Sequence, residues 1–259
     1  MNHWFKSPLG QFILDSEMSK CGQLVPSGYY ARSLQLGLPG MNYLDSVEVQ
    51  CRYITDVHEQ SQPGRGSGSY VPVAGCHYTV SNSSALPFPE RSQNIVVMPH
   101  TLDFCDNPHE VLRQVTQVLE PEGCLVISGF NQASFYGALR PFLKSQNSMP
   151  WTGNFYSVRR VQDWLGLLGY DLVGAGMVAY QPPLQSRKWR EKLAFMEKAG
   201  NRWWPGFGGV YVIVGRKREM AVTPRPQPMR SWKRLIPGIA QPASQRAAKM
   251  GMKLVINNQ

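Results

Sequence analysis

The sequence predicts an α/β protein built around a mostly parallel β-sheet. Strand-like and helix-like runs alternate along the 259 residues, which is typical of parallel strands joined by helical crossovers. Within the predicted strand at 94–98, residues 95–98 are continuously apolar, as a strand buried on both faces must be. With 42% hydrophobic and 17% charged residues, the chain can bury a large core, and its overall composition excludes a disordered protein.

The predicted elements follow from hydrophobic periodicity and from turn residues. In chain order they are a helix at 9–22, strands at 33–37 and 48–55 with a short helix at 41–47 between them, strands at 77–80 and 94–98, a helix at 107–119, a strand at 124–128, helices at 133–144 and 157–168, a strand at 170–180, a helix at 186–199 and a strand at 208–215. The helix at 107–119 has the clearest beginning. Asn107 is its predicted N-cap, Pro108 takes the first helical position, and Glu110 completes a capping box.

Charge divides the chain into two parts. Residues 216–259 contain ten Lys and Arg and one acidic residue, a net charge of +9, whereas 1–215 have a net charge of +1. The tail has five prolines and no sustained periodicity, so we expect a folded domain at 1–215 and a basic, largely disordered tail. Within the domain, the Gly/Ser-rich residues 61–70 predict a flexible loop.

The sequence contains neither a membrane-spanning run nor a recognisable secretion signal. No apolar run approaches 18 residues, and the longest near the N-terminus is 12–14, which predicts a cytoplasmic protein. The cysteines are scattered at positions 21, 51, 76, 105 and 124 without a CxxC pair, so we expect free thiols and no disulfide framework or zinc knuckle. His58, His77 and His109 lack helical HxxxH spacing, and no metal site is predicted.

The ends of the first two predicted strands carry the first candidate ligand residues. In open parallel sheets, ligands bind at the carboxyl ends of the strands. The first strand ends in LQLGLPG, where Gly37 allows the backbone to approach a ligand, and Asp56 ends the second strand 19 residues later. Dinucleotide-binding folds place an acid on ribose hydroxyls at about this spacing. An NAD-dependent enzyme is disfavoured because GLPG lacks the glycines that a pyrophosphate needs.

The order of motifs across 82–131 resembles the central signature of class I S-adenosylmethionine-dependent methyltransferases of the small-molecule, type 11-like kind. That signature runs D-A-x-x-L-P-F, a buried strand, H-x-L-x-x-x-x-D-P, a helix of L-R-E-x-x-R-V-L type, and P-G-G before a strand. The matching residues here are Leu86-Pro87-Phe88, 95–98, His100-Thr101-Leu102, Pro108, Val111-Leu112-Arg113, Val118-Leu119, Pro121 and Gly123. The resemblance extends more loosely over 33–215 and is absent from the tail. It implies a Rossmann-like, mostly parallel seven-stranded sheet with helices on both faces and an antiparallel last strand.

The same resemblance implies S-adenosylmethionine as the cofactor and assigns the residues that bind it. Gly37 and Leu38 would lie against its methionine or ribose, and Asp56 would accept from its ribose hydroxyls. Met98 and Pro99 would face the transferable methyl group. Asn82 and Ser83 would line the adenine.

On the acceptor side, His100 is expected to be a general base or a substrate contact. Asn131 and Tyr156 are expected to contact a small-molecule or lipid-like acceptor. Four residues depart from the family pattern. Gln35 replaces the acid of the glycine motif and Pro39 replaces its middle glycine. Asn82 replaces the loop acid, and Asn94 replaces an acid at the start of the fourth strand.

Two alternatives from other functional classes remain open. The altered glycine motif and the Asn replacements also suit a methyltransferase-like binding protein without catalysis. The tail also suits a nucleic-acid-associated protein, because Arg230, Trp232, Lys233 and Arg234 interleave charge with an aromatic ring. The same tail charges would also suit contact with an anionic membrane.

Overall fold

A seven-stranded sheet forms the centre of the computed structural model, which describes residues 2–57, 74–81, 85–143, 150–183 and 187–218. The strands are β1 (Tyr30–Leu36), β2 (Val49–Val57), β3 (Cys76–Ser81), β4 (Gln93–Pro99), β5 (Leu119–Phe130), β6 (Tyr170–Val178) and β7 (Val210–Lys217). Their spatial order is β3-β2-β1-β4-β5-β7-β6. Strands β1 to β5 pair in parallel, and β7 lies antiparallel between β5 and β6. This confirms the predicted fold class, including the antiparallel last strand.

Helices cover both faces of the sheet. They are α1 (Asn2–Phe5), α2 (Pro8–Leu24), α3 (Thr101–Phe104), α4 (Pro108–Val118), α5 (Phe135–Leu143), α6 (Val158–Leu167), α7 (Arg187–Lys192) and α8 (Phe195–Trp203). The predicted cap of α4 is present, since the side chain of Asn107 accepts from the Glu110 amide and Pro108 begins the helix. Such a cap stabilises a helix by about 1 kcal/mol.

Two apolar cores lie on opposite faces of the sheet. On one face, Phe5 and Ile13 from α1 and α2 pack with Val126 of β5. On the other face, Leu112 of α4 and Leu165 of α6 pack in a separate cluster. Strand residues alternate between the two clusters, because successive side chains of a strand point to opposite faces. Each fully buried Leu or Ile contributes about 1.5–3 kcal/mol through removal from water.

The structure differs from the predicted elements at several places. The connection from Gly37 to Glu48 contains turns and not the short helix predicted at 41–47. The helix predicted at 186–199 is two helices, α7 and α8, and the short helices α1 and α3 were not predicted. Strand β7 continues to Lys217, two residues past the predicted domain end. The loop at 61–70 and the tail from 219 onward lie outside the described residues.

Candidate active site

The carboxyl end of β1 turns sharply through two left-handed residues. Gly37 has φ of 88° and Leu38 has φ of 49°, a conformation that favours glycine and is uncommon for leucine. The Gly37 amide donates to the Thr55 carbonyl of β2 over 2.8 Å. Both Gly37 and Leu38 are buried. The turn predicted from GLPG is therefore present at the edge where parallel sheets bind ligands.

Gln35 holds the whole β1–β2 connection in place. Its side-chain nitrogen lies 3.0 Å from the Gly37 carbonyl, 3.1 Å from that of Leu38 and 2.8 Å from that of Met41. Its oxygen accepts from the Tyr43 amide. A carboxylate at this position could accept but not donate. The glutamine therefore satisfies loop carbonyls that the acid of the family motif would leave without a donor.

Asp56 lies one residue beyond Thr55, at the carboxyl end of β2, and pairs with Val80 of β3. Its backbone therefore stands on the strand next to the Gly37 turn. Its side chain lies outside the described part of the structure, as do Asn82 and Ser83. Thr55 itself is fully buried, and its hydroxyl has no hydrogen-bond partner among the described residues.

The end of β4 is tied to both neighbouring strands. Met98 and Pro99 are buried, and Pro99 pairs with Ser128 of β5. The Thr101 hydroxyl donates to the Leu36 carbonyl at the end of β1 over 2.6 Å. The His100 amide donates to the Ser128 carbonyl. These bonds fix the three strand ends relative to one another.

His100 is the centre of a buried polar group that we call the His100 cluster. His100 Nε2 lies 2.7 Å from Glu17 Oε1, and Nδ1 lies 2.9 Å from Asp103 Oδ2. Glu17 Oε2 accepts from the Tyr43 hydroxyl at 2.9 Å and from the Ser128 hydroxyl at 3.3 Å. The side chains of His100, Glu17 and Asp103 are completely inaccessible to solvent. Charged groups are stable at this depth only because they are paired.

The two carboxylates decide the protonation of His100. Burial alone would lower its pKa, but the Glu17 charge and the bonds to Asp103 and Glu17 raise it from 6.5 to about 10. Burial also raises the pKa of Asp103, although the bond from His100 opposes that rise. At neutral pH, His100 is therefore an imidazolium with both N–H groups engaged. It lacks the free lone pair of a general base, so the predicted catalytic role would require the cluster to open.

Helices α1 and α2 enclose this end of the site. The Phe5 ring lies 5.2 Å from the His100 ring, and the Phe130 ring lies 4.4 Å from it on another side. Glu17 reaches the cluster from the middle of α2. Glu17 was not among the predicted site residues, although its position carries a signal. Glu17 falls four residues after Ile13 and four before Cys21, so an acid lies on the buried apolar stripe of α2.

The two predicted acceptor residues occupy different environments. Asn131 is 2% exposed, and its amide nitrogen lies 3.0 Å from the carbonyls of both Gly206 and Gly208. These buried contacts therefore hold the loop before β7 in place. Tyr156 is partly exposed, and its ring packs edge-on against Trp164. The backbones of Asn131 and Tyr156 form an isolated bridge, so the structure brings the two residues together.

Asn94 lies at the amino ends of the strands, on the opposite side of the sheet from the candidate site. Asn94 accepts from the Arg32 amide and donates to Glu120 over 2.6 Å, so it joins β1, β4 and β5 near their amino ends. Within the described residues, no group of three or more His, Cys, Asp and Glu is arranged to hold a metal ion. All five cysteines lie in this part of the chain and are free thiols.

Comparison with known proteins connects this fold to methyl transfer. A profile described as a methyltransferase domain matches residues 38–127. The uncharacterized protein YafS of Escherichia coli (strain K12) is 29% identical over 181 residues, which are 70% of this chain and 68% of YafS. A SAM-dependent methyltransferase from Thermotoga maritima superposes with a TM-score of 0.59 at 17% identity, covering 83% of this chain and 93% of its own. An S-adenosylmethionine-dependent methyltransferase from Mesorhizobium loti superposes at 0.52 and 13% identity, over 79% and 100%.

The sheet order, the antiparallel β7 and the turn after β1 define a Rossmann-like methyltransferase fold. Residues 38–127 of the chain match the methyltransferase-domain profile, and the chain has the fold of S-adenosylmethionine-dependent methyltransferases of known structure. S-adenosylmethionine is the cofactor of those proteins.

The described residues fit that cofactor unevenly. At the ends of β1 and β2, the left-handed turn at Gly37 and the unpartnered Thr55 hydroxyl suit a polar ligand that approaches the backbone closely. At the end of β4, in contrast, His100 is enclosed by Glu17, Asp103 and aromatic rings. The ends of β1 and β2 therefore suit a polar cofactor, whereas the end of β4 is covered by α1 and α2.

Proposed function

We propose that this chain transfers a methyl group from S-adenosylmethionine to a small-molecule or lipid-like acceptor in the cytoplasm. One observation carries the proposal. The carboxyl ends of the adjacent strands β2, β1 and β4 bring Asp56, Gly37 and Pro99 to one edge of the sheet, within the segment that matches the methyltransferase profile. The domain at 1–215 would perform the transfer, and the basic tail at 216–259 would make salt-sensitive contacts with nucleic acid or anionic lipid.

The binding roles follow from position and chemistry. We assign the ribose hydroxyls to Asp56, because a carboxylate can accept two hydrogen bonds at once. Gly37 and Leu38 would contact the methionine part, with Met98 and Pro99 behind the methyl group. Asn82 and Ser83 would contact the adenine. The cofactor supplies a methyl group already activated by a positive sulfonium, so the chain chiefly has to hold and align the two reactants.

The acceptor side requires a change in the His100 cluster. We propose that α1 and α2 move to admit the acceptor and that His100 contacts it only after Glu17 has withdrawn. Tyr156 is partly exposed and would line the acceptor path. Asn131 would form the wall of that path through its bonds to the loop before β7. A fixed wall excludes water and limits the acceptor poses, which is how positioning residues contribute to rate.

Isothermal titration of the full chain with S-adenosylmethionine and with S-adenosylhomocysteine tests the cofactor site. We expect micromolar dissociation constants and at least a roughly tenfold weakening in Asp56→Ala, the loss of one charged hydrogen-bonding group. Asp163→Ala is the matched control, because Asp163 is an exposed acid on α6, and its affinity should equal that of the wild type. If the wild type binds neither compound at millimolar concentration, the proposal is wrong.

A methyltransferase-like binding protein without catalysis is the second candidate. The enclosed His100 cluster and the Gln35 clamp favour it, since both close the edge with protein contacts. Cofactor carrying a labelled methyl group, incubated with the full chain and with bacterial lipid and metabolite extracts, separates the two candidates. Label transferred above the Asp56→Ala background supports catalysis. Cofactor binding without transfer to either extract favours the binding protein.

A further inference from the structure

A group of exposed aromatic side chains lies on and beside α7 and α8. Trp203 is 73% exposed, Phe195 65%, Phe207 59% and Trp189 57%. Trp204, which lies between Trp203 and Phe207 in the sequence, is 42% exposed. We call these five residues the aromatic surface. All five lie within residues 189–207, and such a concentration of exposed apolar surface is typical of an interaction site.

The aromatic surface lies at the carboxyl edge of the sheet. Phe130 of β5 and Val178 of β6 both pair with Val210, the first residue of β7. The 31 residues between Val178 and Val210 therefore leave and re-enter the sheet at the edge where the candidate site lies. The Tyr180 hydroxyl donates to the Pro205 carbonyl, which anchors the segment after α8 to the segment after β6.

Charge on the same helices is predominantly positive. Residues 187–203 contain six Lys and Arg and two Glu. The exposed cations are Lys188, Lys192, Lys198 and Arg202. Glu197 is turned inward, where it accepts from the Gln181 amide, and burial raises the pKa of its carboxyl group. Glu191 is the exposed acid in the described part of these helices. The outward face of α7 and α8 therefore presents four cations and one acid among aromatic rings, with the Lys192 ammonium 5.0 Å from the Trp189 ring centre.

We infer that the aromatic surface binds an anionic lipid bilayer from one side, without crossing it. Tryptophan and phenylalanine partition into the headgroup region of a bilayer, and neighbouring Lys and Arg are attracted to anionic lipids. Three of the rings lie on the short helices α7 and α8, and two lie on the segment just after α8, an arrangement that suits a fluid interface better than a partner with a fixed complementary groove. In the described residues, no helix is both long and apolar enough to span a membrane, so peripheral contact is the mode that this surface offers.

This binding is separate from the proposed methyl transfer, because neither cofactor nor acceptor takes part in it. The position of the aromatic surface nevertheless bears on access to the candidate site. A bilayer held against α7 and α8 would face the carboxyl edge of the sheet, so a lipid-like acceptor would have a short path to that edge.

Co-sedimentation of the full chain with vesicles tests the inference. The two vesicle types are phosphatidylcholine alone and phosphatidylcholine with about 30% phosphatidylglycerol, in salt of about 150 mM. We expect clear binding to the anionic vesicles, and roughly fivefold weaker binding for the double variant Trp203→Ser, Phe207→Ser, which removes two interfacial anchors. Lys192→Glu together with Lys198→Glu should remove most of the preference for anionic vesicles.

Leu167→Ser is the matched control, because Leu167 is 87% exposed at the end of α6, close to the amino end of β6. Its vesicle binding should equal that of the wild type. Every variant retains the basic tail, so any lipid binding by the tail is common to all of them. Thermal melts followed by circular dichroism check that each variant is folded.

Three results would overturn the inference. One is no binding of the wild type to anionic vesicles. Another is equal binding by the wild type and the folded double variant. A third is binding to single-stranded RNA that the aromatic substitutions abolish while vesicle binding is unchanged, which would assign the surface to nucleic acid.

Discussion

Replacing His100 by asparagine should remove a pH-dependent part of the free energy of unfolding. His100 has φ of 52°, and asparagine tolerates this left-handed conformation better than most residues. The substitution therefore changes the ionisable group while keeping the backbone. It leaves Glu17 and Asp103 buried without their cation, and breaking a buried pair in this way costs about 3–5 kcal/mol. At pH 7 we expect a loss of that size.

The pH dependence follows from the pKa of His100, which the fold raises from 6.5 to about 10. The folded chain keeps this proton above pH 6.5, whereas the unfolded chain releases it. The resulting stabilisation is complete below about pH 6.5 and is lost as pH rises toward 10. It amounts to about 4 kcal/mol at pH 7 and about 2 kcal/mol at pH 8.5. The advantage of the wild type over His100→Asn should therefore shrink by about 2 kcal/mol across this interval.

Urea unfolding at several pH values between about 7 and 8.5 measures this difference. The charged or titratable groups that face His100 are Glu17 of α2 and Asp103 of α3, and Tyr43 reaches the cluster through Glu17. Burial and the Glu17 charge raise the pKa of Cys21 to about 12, so this thiol keeps its proton in both folded proteins over the interval. Parallel pH profiles for wild type and variant would refute the protonated cluster.

Three further substitutions test the contacts around the site. Gln35→Ala removes a buried side chain that bonds four backbone groups of the β1–β2 connection. Urea titration should show a free energy of unfolding lower by about 2–4 kcal/mol. A loss below about 0.5 kcal/mol would contradict this role of Gln35. Asn131→Ala should cost about 2 kcal/mol and speed limited proteolysis near Gly206, and unchanged cleavage would argue against its role in holding that loop. Gly137→Ala should lower the melting temperature despite the better helix propensity of alanine, about 1 kcal/mol, because its Cβ would overlap the Gln132 backbone. A melting temperature equal to or above that of the wild type would contradict this close packing.

Local patterns were sufficient to predict most of the elements. The apolar run that became β4 and the Asn107 N-cap of α4 depend on neighbouring residues, and both appear in the structure as predicted. Where prediction was wrong, contacts distant in sequence decided the outcome. The segment at 41–47 forms turns because Gln35 holds the Met41 carbonyl and the Tyr43 amide. No periodicity within the segment itself reports such bonds.

The candidate site was predictable only in outline. Glycine and acid spacing placed Gly37 and Asp56 at strand ends, and parallel strands bring their ends to one edge. The roles of Asp56, Asn82 and Ser83 in cofactor binding stay predictions. The state of His100 could not be predicted, because its partner Glu17 lies 83 residues away in the sequence. A histidine after a strand has an ordinary pKa until the fold supplies its neighbours.

The sequence by itself determined the α/β class, the order of the elements and the resemblance to a methyltransferase, because hydrophobic periodicity, caps and turn residues act over a few positions. The tertiary structure alone decided that Glu17 and Asp103 raise the pKa of His100 and that α1 and α2 cover the end of β4. It also decided that aromatic residues of α7 and α8 remain exposed beside the same edge of the sheet. These features depend on burial and on distances between remote segments, and only the packing of the whole chain creates them.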